Sequence, residues 1–212
     1  MKRTREEALK TRDRILDAAE NAFYEHGVAH TSLADIAELA GLTRGAIYGH
    51  FRNKDEVFTA MVERVVLPME MLFAVTTDPA ESDPLGRMRD MLILCMSNAA
   101  TDPHSRRVFD VLFTKCEYTS DMGRVLERQR NAARYGRARM ELGLRNAVAK
   151  GQLPGDLDIE RAASIIQVFL NGALRDWLLG HGAIALPGDA RYVVDACFGM
   201  LKHSAPLVTQ VS

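Results

Sequence analysis

Arg44, Gly45, Tyr48 and Gly49 stand at spacings that put a guanidinium, a phenol and two bare backbone positions on one side of a short helix. With Arg44 at zero and about 100° per residue, Tyr48 falls at about 40°, Arg52 at about 80°, Gly45 at about 100° and Gly49 at about 140°. Ala46, Ile47, His50 and Phe51 fall between about 200° and 340°, so the aliphatic and aromatic residues take the opposite side and dock the segment on its neighbours. An outward face of this kind suits a helix laid in the major groove of DNA. Arg reaches guanine or phosphate, a phenol bonds phosphate or packs on a base, and glycine permits close approach. A solvated face on a small helical subdomain has the same composition, and these residues alone leave the two readings open.

Catalytic chemistry has little to build on. The six histidines, His26, His30, His50, His104, His181 and His203, are scattered and form no HExxH pattern. No Walker-type or GxGxxG loop occurs. Cys95, Cys116 and Cys197 lie far apart without CxxC or Cys/His ligand spacing, so they read as small core hydrophobes, with no metal site and no cofactor expected. The chain is 47% apolar, enough for a real core, and its net charge of −1 does not advertise a nucleic-acid protein, so a case for DNA must rest on local arrangement. No run of eighteen apolar residues occurs, and MKRTREEALKTR lacks the apolar stretch of a signal peptide. A cytoplasmic protein with no membrane association is expected.

The elements that must position Arg44 and Tyr48 read as helices. Ile15, Ala18, Ala19, Ala22 and Phe23 recur at helical spacing in one apolar stripe, which Gly27 ends. A short helix starts at Thr31-Ser32, where Asp35 completes a capping box, and runs to Ala40; Gly41 supplies the turn. Thr43 caps a third helix, roughly residues 44–50, and Asn53 with Glu56 caps a fourth. Beyond Lys54 the pattern predicts helices at about 54–75, 84–100, 104–115, 121–150, 158–180 and 188–204, with a kink or break at Pro68. No stretch alternates like a strand. The fold class is therefore all-α: a three-helix head with a helix-turn-helix at residues 1–53, joined through the fourth helix to a larger helical bundle at 54–212.

The stretch TSLADIAELAGLTRGAIYGHF (31–51), followed by NKDEVF and preceded by ILDAAENAFYEHGV, resembles the helix-turn-helix of the TetR family of transcriptional regulators. Segments such as DPLGRM, KCEY and KGQLPGDLD also resemble the acriflavine-resistance subgroup, whose members repress multidrug efflux pumps. The resemblance implies a repressor, not an enzyme, that binds a palindromic double-stranded DNA operator as a homodimer and is released by a small lipophilic or aromatic effector. A repressor of a catabolic or lipid gene set is the alternative within the family, and a helical interaction module that never touches DNA is the alternative outside it. Carried over position by position, the implied DNA contacts are Ser32, Thr43, Arg44, Gly45, Tyr48, His50 and Lys54. Thr43 and Lys54 also have capping or solvent roles, and His50 falls toward the packed side. Gly49 departs from many relatives, which carry an aromatic residue there. Lys2, Arg3, Arg5, Lys10, Arg12 and Arg14, offset by Glu6, Glu7 and Asp13, form a basic segment that either steers DNA or is an ordinary solvated terminus.

Residues 159–179 are apolar around most of a helical circumference, and Val193, Val194, Ala196, Cys197, Phe198, Met200 and Leu201 show the same excess, so both segments must be buried on more than one side. The family resemblance implies a four-helix dimer interface there, with Trp177, Leu178, Val194, Phe198 and Leu201 in it. Gln167, Asn171 and Arg175 step by four residues with Ser164 on the same side. They are either a solvent stripe or the polar lining of the effector pocket that the family places among its long helices. In the second case Met88, Met91, Leu92, Cys95, Met96, Phe109, Phe113 and Met140 supply facing walls, and flexible methionines suit an adaptable cavity.

Overall fold

The structure, a computed structural model, describes residues 5–72, 75–116 and 123–203. Lys2 and Arg3 of the basic segment lie outside the described residues. The elements are α1 (Arg5–His26), α2 (Leu33–Leu39), α3 (Arg44–Tyr48), α4 (Lys54–Leu72), a 3₁₀ turn (Val75–Thr77), α5 (Pro84–Thr101), α6 (Pro103–Asp110) running into a π-helical turn (Val111–Lys115), α7 (Gly123–Ala149), α8 (Ile159–Leu178) and α9 (Ala190–His203). No strand occurs among the described residues.

Local chemistry accounts for most of the boundaries. Gly27 ends α1, its N–H donating to the Phe23 carbonyl at 3.0 Å. Asn53 Oδ1 accepts from Glu56 N at 2.9 Å and Glu56 accepts from Arg52 N at 2.8 Å, so the start of α4 is capped from both directions. Asp83 caps α5 through Gly86 N at 2.9 Å with Pro84 in the first turn, and Asp158 caps α8 through Arg161 N at 3.0 Å. The backbone N–H of Gly86 and the amide of Gln152 hold the Asp83 carboxyl below the usual range. Pro68 does not end its helix, because α4 continues to Leu72. Only one turn follows the proline, so the ring removes a backbone bond where few remain to be lost.

The chain packs as two compact units, Met1–Val66 with Pro103–Gln129, and Leu67–Asp102 with Arg130–Ser212. Packing thus takes a different course from the head-and-body division expected at residues 53 and 54, because α6 and its π turn join the unit that holds the head. The first unit is built on Ile15, Leu16, Ala19, Phe23, Val28, Ile36, Ile47, Val57, Phe58, Met61, Val108 and Val111, all buried. Phe23 and Phe58 meet edge to face with ring centroids 6.0 Å apart. Among the described residues of this unit, the buried charged side chain is Glu20. Its carboxylate accepts from Arg64 of α4 at 3.0 Å and from Arg107 of α6 at 2.6 Å, and His104 Nδ1 stands 3.0 Å away. Arg64 also reaches Asp17 at 2.6 Å. Glu20 therefore ties α1 to two elements distant in sequence.

The second unit centres on Met88, Leu92, Met96, Leu144, Ala147, Ala163, Ile166, Val193, Val194, Cys197, Phe198 and Leu201. A β-carbon at Gly143 would lie 2.5 Å from Met88 Cε and 3.2 Å from Thr76 Oγ1, so a larger residue there would make the flexible end of Met88 and the Thr76 side chain shift. Nearby, the Asn146 amide donates to the Thr76 carbonyl at 3.1 Å. Arg89 on α5 forks onto Asp195 on α9, with Nε to Oδ1 at 2.5 Å and Nη2 to Oδ2 at 2.9 Å.

Candidate nucleic-acid interface

The helix-turn-helix is fixed by short-range caps and two long reaches from α1. Ser32 Oγ accepts from Asp35 N at 3.2 Å, while Asp35 Oδ2 accepts from Ser32 N and from Ser32 Oγ, each at 2.8 Å. These bonds, the backbone one first, hold the Asp35 carboxyl below the usual carboxylate range, with His26 and Arg44 adding a smaller pull. At the far end of α2, Gly41 takes φ +61°, the left-handed conformation that side chains with a β-carbon resist. Arg14 Nη2 donates to the Ala40 carbonyl at 2.6 Å and so puts a cation on the C-terminus of α2. Thr43 Oγ1 then accepts from Ala46 N at 3.2 Å and starts α3. Arg12 lies over the Phe51 ring, 5.3 Å from its centroid, and clasps the exit from α3. By sequence, Arg12 and Arg14 belong to a basic segment that either steers DNA or is an ordinary solvated terminus. Both instead brace the turn, by reaches that no local spacing shows.

The expected outward face is present. Ser32, Thr43, Arg44, Gly45, Tyr48, Gly49 and Arg52 are exposed, His50 is half-buried, and Ile47 and Phe51 are buried on the side toward the core. Several of the named residues already have partners, Thr43 Oγ1 in its cap of α3 among them. Ser32 Oγ serves the capping box, and Lys54 Nζ donates to the carbonyls of Val28 at 2.6 Å and Ala29 at 3.1 Å. Lys54 thereby pins the loop between α1 and α2 to the start of α4.

In the second unit the polar stripe of α8 divides. Arg137 Nη1 on α7 lies 3.5 Å from Ser164 Oγ, and Gln167 Nε2 donates to the Ala133 carbonyl at 3.4 Å, whereas Asn171 and Arg175 are exposed. Met88, Met91, Leu92, Met96 and Met140 are buried and Cys95 is half-buried. Phe109 and Phe113, expected on the same wall, belong to the first unit, where they stack on each other at 6.2 Å. Three of the residues expected at a dimer interface pack within their own chain. Val194, Phe198 and Leu201 are fully withdrawn from solvent within the single chain, because α9 turns that side to α5 and α8 of its own unit. The open side of α9 carries Tyr192, Ala196 and Met200, and that of α8 carries Val168, Gly172 and Leu179, while Trp177 and Leu178 are half-buried.

Comparison with known proteins decides the lineage. Residues 15–61 match the family described as bacterial regulatory proteins, tetR family, and residues 83–203 match the C-terminal region of MAATS-type transcriptional repressors. The chain is 43% identical over 207 residues to the HTH-type transcriptional regulator TtgR of Pseudomonas putida, covering 98% of this chain and 99% of that protein. It belongs to the TetR family. Among solved TetR-family structures, NalD, the secondary repressor of the MexAB-OprM multidrug efflux pump in Pseudomonas aeruginosa, superimposes with a TM-score of 0.84 at 31% identity, covering 94% of this chain and 100% of that one. The complex of SmeT, a Stenotrophomonas maltophilia repressor, with triclosan gives 0.84 at 32% identity, covering 95% and 96%.

A TetR-family chain is a transcriptional regulator and not an enzyme. No helix among the described residues is long and apolar enough to cross a membrane. Asp17, Glu20 and His104 come close enough together to suggest a cation site. Arg64 and Arg107 already occupy both oxygens of Glu20 in this TetR-family head, so the cluster is neutralised from within.

Proposed function

We propose that this TetR-family chain is a repressor that binds a palindromic operator as a dimer, controls a multidrug efflux pump operon, and is released from DNA by a small lipophilic or aromatic molecule. The observation that carries the reading is the exposed Arg44–Tyr48 face on a helix whose turn is locked by the Arg14–Ala40 bond. Arg44 and Tyr48 read base edges and phosphates; Ser32, Thr43, Gly45, His50 and Lys54 set the helix on the backbone. Two copies associate through the open sides of α8 and α9, where Val168, Leu179, Tyr192 and Met200 leave apolar surface uncovered. The effector enters the second unit, among Met88, Leu92, Cys95, Met96 and Met140, with Gln167, Asn171 and Arg175 at its polar edge. The efflux assignment draws on NalD and SmeT, structural relatives of this chain that are both repressors of multidrug efflux pumps.

Footprinting the chain on its own promoter region tests the DNA half. Arg44→Ala costs about 1–3 kcal/mol of operator affinity if Arg44 reads a base edge. Wild-type binding without sequence preference, or with an affinity flat in salt, refutes it. Repeating the titration with triclosan, the ligand in the SmeT structure, tests release.

A further inference from the structure

We propose that Arg137 is an anion-binding anchor inside the second unit, and that the effector this chain senses carries a carboxylate, or a group of comparable acidity, on its lipophilic frame. The inference deepens the effector reading above and rests on it. It starts from the face of α7 that is turned to the core. Met140, Gly143, Leu144 and Ala147 are buried there. Ala133, Gly136 and Arg137 continue the same face toward the N-terminus, all within an arc of about 120°. A guanidinium thus stands in line with a methionine and a leucine of the core.

Its hydrogen bonding is incomplete. Among the described residues, Arg137 Nε is cut off from solvent and has no acceptor. Nη1 finds only Ser164 Oγ at 3.5 Å, and that hydroxyl already gives its own proton to the Glu160 carbonyl at 2.9 Å. Glu141, one turn further along α7, pairs with Arg145 at 3.5 Å. Gln167 meets the Ala133 carbonyl through Nε2 and adds a donor, not an acceptor, to this side. Arg130 and Arg134 are exposed on the preceding turns.

The wall beside this guanidinium is also open. A β-carbon at the half-buried Gly136 would meet no atom within 4 Å, whereas one at Gly143, two turns on, would run into Met88. A buried N–H on a charged group with no acceptor is costly to keep, and an incoming carboxylate answers it with two parallel bonds. A neutral guest leaves it unpaired or, where it offers a carbonyl, gives it an uncharged bond in place of a charge-assisted pair. The site therefore discriminates by charge as well as by shape.

The test is calorimetry of the purified chain with matched carboxylate and carboxamide pairs on naphthalene, biphenyl and indole frames, at neutral pH. The expected result is that at least one acid binds about tenfold or more tightly than its amide. Arg137→Met brings that ratio to near one while the amide still binds, and Arg137→Lys keeps a measurable part of it. A ratio near one in the wild type overturns the inference with no variant needed, as does a ratio that survives Arg137→Met. Amides that bind and release operator while acids show no advantage leave the effector reading standing and remove only the anchor. Binding of none of the compounds removes both.

Discussion

Replacing Glu20 by glutamine isolates the charge of the buried carboxylate while keeping its shape. Glu20 is 1% exposed, and its three partners, Arg64, Arg107 and His104, are 27%, 33% and 53% exposed. Hydrogen bonds to charged groups contribute about 1.5–3 kcal/mol each, and removing one side of a buried pair costs about 3–5 kcal/mol. The partners here can turn back to water, which pulls the cost toward the low end of that range. One acceptor also survives, since the amide oxygen can still receive Arg107. An expected loss of about 3 kcal/mol lowers the melting temperature by roughly 6–12 °C in a domain of this size. Thermal unfolding followed by circular dichroism measures it, with Arg64→Met and the double variant completing a cycle. A shift under about 2 °C, or strict additivity in the cycle, refutes the idea that this hub holds α1 to α4 and α6.

Gly41→Ala, at φ +61°, is expected to cost about 1–2 kcal/mol in urea unfolding and to weaken operator binding through a displaced α3; an unchanged midpoint shows that the turn relaxes freely. Burial pushes the thiols of Cys95 and Cys197 up to about 11, so both stay protonated and resist iodoacetamide at pH 8 in the folded chain, and rapid alkylation followed by mass spectrometry speaks against that burial. The Arg89 fork holds the Asp195 carboxyl below its ordinary value. Its stabilising effect is therefore complete above the unfolded pKa of about 4 and fades as pH falls through the lower folded value. At these exposed groups it amounts to less than about 1 kcal/mol, and Asp195→Asn should flatten the acid limb of stability slightly, a change absent if the pair does not persist in solution.

The parts of this protein that could be read from its sequence are those whose chemistry closes within one helical turn. Ser32 with Asp35, Thr43 with Ala46 and Asn53 with Glu56 are cap and capped within three residues, so α2, α3 and α4 begin where the pattern places them. The orientation of α3 was legible for the same reason, since its polar and apolar residues separate by angle alone. Arg14 reaches the Ala40 carbonyl across 26 positions and Glu20 reaches Arg107 across 87, and nothing in a local window marks either pairing. Burial on α9 is a different case. Val194 and Phe198 are as apolar as an interface residue must be, but a helix apolar on most of its circumference does not say which side meets its own core. In the sequence, Arg137 amid Arg130, Arg134 and Arg139 looks like one more solvated charge.

The two-segment make-up of the first unit bears on how the chain is made. Glu20 and Arg64 leave the ribosome before α5, whereas His104 and Arg107 follow only after residues 67–102, which belong to the other unit. The nascent head therefore waits with its carboxylate half-satisfied, and the contacts that complete it are among the most distant in sequence that the unit contains. Long-range closures of this kind slow folding, and at roughly 5–20 residues per second of synthesis the head spends several seconds in that state. A truncated gene product ending after α4 would carry every residue proposed to face DNA and still lack His104 and Arg107 of the polar centre beneath it.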